Sequence, residues 1–261
     1  MFTKPFFRLL PFMLLPLFWS ALFGPGALSA FAEKEKIILA VPQTGWPPYV
    51  IPADNQGGDR GIMIDIMREV TRRDGRELTL VHLPEKRALM QLREGTVDAL
   101  PKAMEWVDDP ESFRWTTPVT SSSDYILFRK EWRLFTTPNA MTGLNVGTIL
   151  GYTYPTLEDR FRDGSILRRN ANSTESLMRM LQRGHVDVAV ANKIVAEWII
   201  RNNDDLGKDD FRFSEKPIHT APYRFAFTKT WDCREFIKTF DREFETMRKD
   251  GSLKAILEQY R

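Results

Sequence analysis

One cysteine, Cys233, occurs in 261 residues, so no disulfide can form within the chain. Histidine is nearly as scarce: His82, His185 and His219 lie far apart, without metal-ligand spacing. The sequence has no Gly-x-Ser-x-Gly elbow, no glycine-rich loop suited to cradling phosphate and no Cys/His cluster. No catalytic residue, metal or cofactor is therefore assigned. Surplus charge is missing as well. Lysine and arginine number 37 against 35 Asp and Glu. Two of the bases, Lys4 and Arg8, belong to the leader described next, and the remainder balances at 35 against 35. A chain without a basic surplus has few counterions to release from a polyanion, which argues against a nucleic-acid partner.

Long apolar runs are absent except at the start. Lys4 and Arg8 precede "LLPFMLLPLFWSALF", then Gly24, Pro25 and Gly26 interrupt it, and Ala30-Phe31-Ala32 reads as a small-x-small cleavage site. The run is about fifteen residues, short of the roughly 20 that span a bilayer, and it contains Pro11 and Pro16. A signal peptide over residues 1–32 is expected, leaving a chain outside the cytoplasm that starts at Glu33. Cys233 lies far from the leader, so it is no lipidation site, and its helical context reads as inert packing.

Two stretches of what remains read alike. "LMQLREGTVDAL" from Leu89 and "MRMLQRGHVDVAV" from Met178 each end an amphipathic helix, pass Gly95 or Gly184, and continue through Val-Asp into a short apolar strand. Each is preceded by a strand that runs into an aromatic-proline loop: "IILAV" into "GWPPY", and "NVGTIL" into "GYTYP". The same features in the same order predict two similar α/β lobes. "GIMIDIMREV" places Ile62, Met63, Ile66, Met67 and Val70 on one helical face, and "ELTLVHL" reads as a strand. "STESLMRMLQRG" opens on Ser173 as a helix start. "YILFRKE" and "YRFAFTK" are two further strands. Near the end, Phe236, Ile237, Phe240, Phe244 and Met247 form a core stripe before Asp250-Gly251 turns the chain into "SLKAILEQY". Alternating strands and helices predict mostly parallel sheets, with ligand sites beyond the carboxyl ends of the strands. "GWPPY" and "GYTYP" both lie at such ends. Pro47 and Pro48 stiffen the first loop, so Trp46 is predicted to stand as a rigid aromatic wall.

The order and spacing of "GWPPYV", "GIMIDIM", "LREGTVDAL", "WTTPV", "NVGTILGYTYP", "RGHVDVAVAN" and "RKDGSLKAIL" resemble the periplasmic solute-binding proteins of the amino-acid-binding type, solute-binding family 3. The resemblance covers essentially the whole chain after the leader. It implies a type II periplasmic-binding fold: two α/β lobes joined by two crossovers, with the ligand in the cleft between them. Lobe one would be residues 33–122 with 221–261, and lobe two residues 123–220, with "TSSSD" and "HTAPY" as hinges. The implied function is binding of a small polar solute, amino-acid-like or another small organic acid, by a monomer that delivers it to an ABC permease in the inner membrane. An enzyme on the same scaffold, similar to cyclohexadienyl dehydratases, and a ligand sensor for a membrane receptor are the alternatives.

The residues singled out for the ligand are Trp46, Tyr49, Arg87, Lys102, Glu105, Tyr152, Thr153 and Asn192. Tyr152 and Thr153, after Gly151, are expected at a helix start with free N–H groups. Asn192 can donate and accept toward a neutral polar group. The resemblance also marks a departure. Trp106 and Asp109 stand where the family's amino-acid binders carry Thr and the Arg that pairs with a carboxylate, and Asn192 stands in place of the acid that holds an ammonium. Both ends of that clamp are changed, so ordinary α-amino acids are not expected to bind through it, and a ligand carboxylate would need its cation from Arg87 or, failing it, Lys102. For the leader, intact-mass measurement on protein from the periplasmic fraction should give a chain beginning near Glu33; a full-length mass would refute cleavage.

Overall fold

The computed structural model describes residues 1–2, 35–54, 57–132 and 138–260, so nearly all of the expected leader lies outside the described residues. The chain runs β1 (Lys36–Pro42), α1 (Ile62–Arg73), β2 (Glu77–Leu83), α2 (Glu85–Glu94), β3 (Ala99–Ala103), β4 (Arg114–Trp115), β5 (Thr120–Arg129), β6 (Asn145–Ile149), α3 (Glu158–Arg162), β7 (Leu167–Ala171), α4 (Thr174–Gln182), β8 (Val188–Asn192), α5 (Lys193–Arg201), β9 (Phe211–Phe213), β10 (His219–Phe227), α6 (Arg234–Asp250) and α7 (Ser252–Glu258). Among the described residues no helix is long and apolar enough to cross a membrane.

The repeated Gly-x-Val-Asp pattern has one physical role in both places. Gly95 and Gly184 take φ of 77° and 73°, the left-handed geometry that lets a helix end and the chain reverse. Three residues later an aspartate grips the neighbouring strand. The Asp98 N–H donates to the Ile38 carbonyl at 2.9 Å, and its Oδ2 accepts from the Ile38 N–H at 2.8 Å. Asp187 does the same with Asn145, at 2.9 and 2.7 Å. Each carboxylate thus satisfies a backbone donor where a parallel pair of strands begins. Asp98, fully buried, accepts in addition from the Trp231 indole N–H at 2.9 Å.

Eight strands line up as β2-β1-β3-β10-β5-β8-β6-β7, with β4 added to β10 and β9 to β5. The outer triplets β2-β1-β3 and β8-β6-β7 are parallel, as the alternation of strands and helices predicts. The two strands between them are not. β10 is antiparallel to β3 and to β5, and β5 is antiparallel to β8. The reason is topological: β5 carries the chain out of the first half and β10 brings it back, so they run in opposite senses. "YILFRKE" and "YRFAFTK" are the distal parts of these longer strands.

Helices cover the sheet where their apolar stripes demand it. Phe236, Phe240, Phe244 and Met247 of α6 are buried against Met63, Ile66, Met67 and Val70 of α1, and Ile237 packs at their margin. Gly251, at φ 85°, turns α6 into α7. In the other half, Leu177, Met178 and Leu181 of α4 form a separate core with Val186 and Ala189. The Ser173 hydroxyl caps α4 by accepting from the Ser176 N–H at 3.1 Å. Cys233 is buried at the start of α6, and desolvation pushes its thiol up to about 11, in keeping with inert packing.

The shared role of the two aspartates has a measurable consequence. Asp98→Ala leaves the Ile38 and Trp231 donors without their acceptor and should cost about 3–6 kcal/mol in urea unfolding, given roughly 1.5–3 kcal/mol per bond to a charged group. Asp187→Ala should cost less, because its carboxylate is less buried and holds only Asn145.

Candidate functional site

The carboxyl ends of β1, β3, β6 and β8 supply the residues of the candidate site. After β1 the chain folds tightly on itself: the Trp46 N–H donates to the Val50 carbonyl at 2.7 Å, and the Tyr49 N–H to the Trp46 carbonyl at 2.9 Å. The loop is fastened to the start of α1, where Ile62 and Met63 donate to the carbonyls of Pro48 and Tyr49, both at 3.0 Å. Gly61 is required there. Its φ is 129°, and a Cβ would lie 2.6 Å from the Tyr49 carbonyl oxygen. Trp46 is half-buried and stacks on Tyr49 with ring centroids 4.4 Å apart. Tyr223 of β10 and Trp106, just beyond β3, extend the cluster at 5.2 Å from Trp46 and 5.9 Å from Tyr223. Tyr49 has no exposed surface. It backs the Trp46 face instead of forming a wall of its own.

Ionisable groups around the cluster are mostly paired. Lys102 sits over the Trp106 ring at 5.5 Å and is bound to Glu85 at the start of α2. Glu105 lies 3.8 Å from Arg224. Arg87 is exposed and lies off the α2 stripe that carries Glu85, Ala88 and Leu92, so of the two expected cations Lys102 is the one beside the aromatics. Asp109 points elsewhere: Arg93 and Ser112 hold it, and the Arg93 guanidinium leads the effects that keep its carboxyl below the usual range.

On the second half, the helix expected after Gly151 does not start there. α3 begins at Glu158, because Pro155 keeps the residue before it out of helical geometry. The Tyr152 N–H is already used by the Ile149 carbonyl at 3.2 Å, so it is not a free donor. Thr153 is exposed with its side chain at the surface. The Tyr152 ring keeps 46 % of its surface, yet its hydroxyl is pushed up to about 12, first by desolvation and then by the charges of Glu85 and Asp124. A side chain both accessible and surrounded by protein is one that lines a cleft.

Asn192 ends β8 and is almost fully committed. Its Oδ1 accepts from the Val195 N–H at 3.1 Å, capping α5, and its Nδ2 donates to Ser122 Oγ at 2.9 Å. The Tyr49 hydroxyl, which burial pushes up to about 12, lies close by and donates to the Ser121 carbonyl at 3.4 Å. Directly opposite Asn192 in the β5–β8 register stands Asp124, and opposite Asp124 on β10 stands His219. Desolvation alone raises the Asp124 carboxyl to about 6.

The structure therefore brings Trp46, Tyr49, Lys102, Glu105, Tyr152 and Asn192 around one region and leaves Arg87 and Thr153 at the surface. Sequence reasoning passed over Tyr223, Glu85 and Asp124. Tyr223 and Asp124 fall in the expected hinge segments, but only strand register shows what stands beside them.

The family model for bacterial extracellular solute-binding proteins, family 3, matches residues 37–261. The chain belongs to that family. It is 22% identical over 231 residues to a probable amino-acid-binding protein, YxeM, of Bacillus subtilis (strain 168), covering 88% of this chain and 86% of that one. Among solved structures, a histidine kinase sensor domain with similarity to periplasmic binding proteins superposes with TM-score 0.72 at 20% identity, covering 87% of this chain and 96% of that one. An ancestral arginine-binding protein bound to glutamine superposes with TM-score 0.69 at 18% identity, covering 87% and 98%. These likenesses establish the two-lobe periplasmic-binding fold.

Asp124 makes stability depend on pH in a definite direction. Its folded value, about 6, lies above the ordinary 3.8, so the fold is penalised once the carboxyl must ionise. That penalty is absent below pH 4 and fully present above about 6. The groups facing it are the hydroxyls of Tyr49, Tyr152 and Tyr154, with His219 across the ladder. Asp124→Asn should match wild type in Tm at pH 4 and exceed it by several degrees at pH 7.5, from about 1–3 kcal/mol. Equal Tm values at both pH values would show that the carboxylate is well solvated.

Proposed function

We propose that the protein binds a small polar solute in the cleft between its lobes, outside the cytoplasm, and delivers it to an ABC permease in the inner membrane. The observation that carries this reading is the convergence of Trp46, Lys102, Tyr152 and Asn192 from the carboxyl ends of strands in both halves of the sheet. Ligand sites of α/β sheets lie at such ends. Family membership and the amino-acid-binding relative support solute binding over catalysis.

We place lobe one at residues 33–122 with 221–261 and lobe two at residues 123–220. Strand pairing supports these bounds. β5 pairs with β10 from Thr120 to Asp124 and with β8 from Asp124 onward, while β10 pairs with β3 from Tyr223. Among the described residues these two strands carry the chain between the lobes, and α5 also packs against the first through Val195 and Trp198, so a modest backbone rotation in β5 and β10 with sliding at α5 would close the cleft. The export signal over residues 1–32 belongs to the same reading.

Small-angle scattering with and without bound solute tests closure: the radius of gyration should fall and Tm should rise on loading. Identical scattering for a confirmed complex would refute it. Trp46→Ala should weaken binding roughly two- to tenfold, from the loss of about 0.5–1.5 kcal/mol of aromatic contact. A variant that binds as well as wild type but melts far lower would place Trp46 in the core alone.

A further inference from the structure

We infer that the cleft selects a cationic solute, and that the Asp124 carboxylate on the β5 crossover is the group that receives its ammonium or guanidinium. The inference rests on solute binding as proposed above and adds the class of solute.

Charge accounting carries the argument. In lobe one, Glu85 is matched by Lys102 and Glu105 by Arg224. In lobe two, Arg168 is held by Glu158 at 3.8 Å and by the Tyr152 carbonyl at 2.7 Å, and Lys193 lies 3.9 Å from Glu197. Asp124 alone among these acids has neither a cation nor a hydrogen-bond donor on its carboxylate among the described residues. Among the described residues its strand neighbours do not supply one. The Asn192 amide donates to Ser122 and its oxygen caps α5. His219 is the Cα partner on the other side, and its Nε2 makes no hydrogen bond.

The position of Asp124 tells where the missing partner must come from. Its charge acts on Tyr49 of lobe one and on Tyr152 and Tyr154 of lobe two, so the carboxylate sits between the lobes at the point where β5 changes partners. Closure would withdraw it further from water. A neutral occupant would then leave a desolvated charge unpaired, and an anion would add repulsion. An ammonium or guanidinium would instead form a charge-assisted hydrogen bond to Asp124 while facing the Trp46 and Tyr152 rings, whose faces attract cations.

The alternative chemistry is a protonated Asp124 donating to a carbonyl oxygen, and pH separates the two. A cationic solute requires the ionised form and should bind about tenfold more weakly at pH 5 than at pH 7.5; a neutral acceptor should bind more tightly at pH 5. The experiment is calorimetry at both pH values on wild type and Asp124→Asn, with L-arginine, agmatine and choline as cationic probes and glutarate and glutaramide as the others. The expected result is binding of at least one cationic probe, weakened tenfold or more in Asp124→Asn, whose fold is checked by its melting curve. The inference is overturned if no cationic probe binds, if Asp124→Asn binds the cationic probes as wild type does, or if affinity rises at pH 5. Binding and compaction with glutarate or glutaramide alone would overturn the cationic class and leave solute binding standing.

Discussion

Everything in this molecule hangs on the antiparallel pairing of β5 with β10. Five residue pairs, from His219 opposite Asp124 to Tyr223 opposite Thr120, form the ladder through which the two halves of the sheet are continuous. The ladder satisfies the backbone of two segments that would otherwise cross between lobes as unpaired chain. It also sets what lies at the crossing. Side chains alternate along a strand, so Ser122 and Asp124 share one face with their neighbours Asn192 and His219, while Ser123 and Thr220 bond to each other on the opposite face.

That arrangement separates structural work from recognition. Asn192 lies where a ligand group is expected, yet it spends its side chain on the α5 cap and on Ser122. Tyr49 spends its ring beneath Trp46 and its hydroxyl on the Ser121 carbonyl. Asn192 ties the halves of the site together. The accessible groups are Trp46, Tyr152 and the edge of the Lys102–Glu85 pair, and Tyr152 stands near a carboxylate, Asp124, that has no partner among the described residues. An unpaired, desolvated charge lowers stability, and such a group is kept where something outside the fold completes it.

The two lobes solve the same local problem with the same residues. In each, a left-handed glycine ends a helix and an aspartate then bonds the backbone of the adjacent strand. The aromatic-proline loops after β1 and β6 are less alike. The first is stapled to α1 through Pro48 and Tyr49, whereas the second keeps its aromatic, Tyr152, exposed and delays its helix to Glu158.

Much of the fold was legible because it is written in local terms. Gly95, Gly184, Ser173 and the Phe236–Phe240–Phe244 stripe declare their conformations through backbone freedom, capping and periodicity, none of which needs a distant partner. The repeat followed from the same signals, and so did the placing of Trp46 at a strand end. What the sequence could not determine is pairing across space. Whether Asp109 faces a ligand or Arg93, whether Asn192 is free or committed to a cap, and which residue stands beside Asp124 all depend on strand register and on side chains far apart in the chain. A charge has the same letter whether paired or alone; only the tertiary structure, by surrounding it with protein, decided that Asp124 is desolvated without a partner among the described residues.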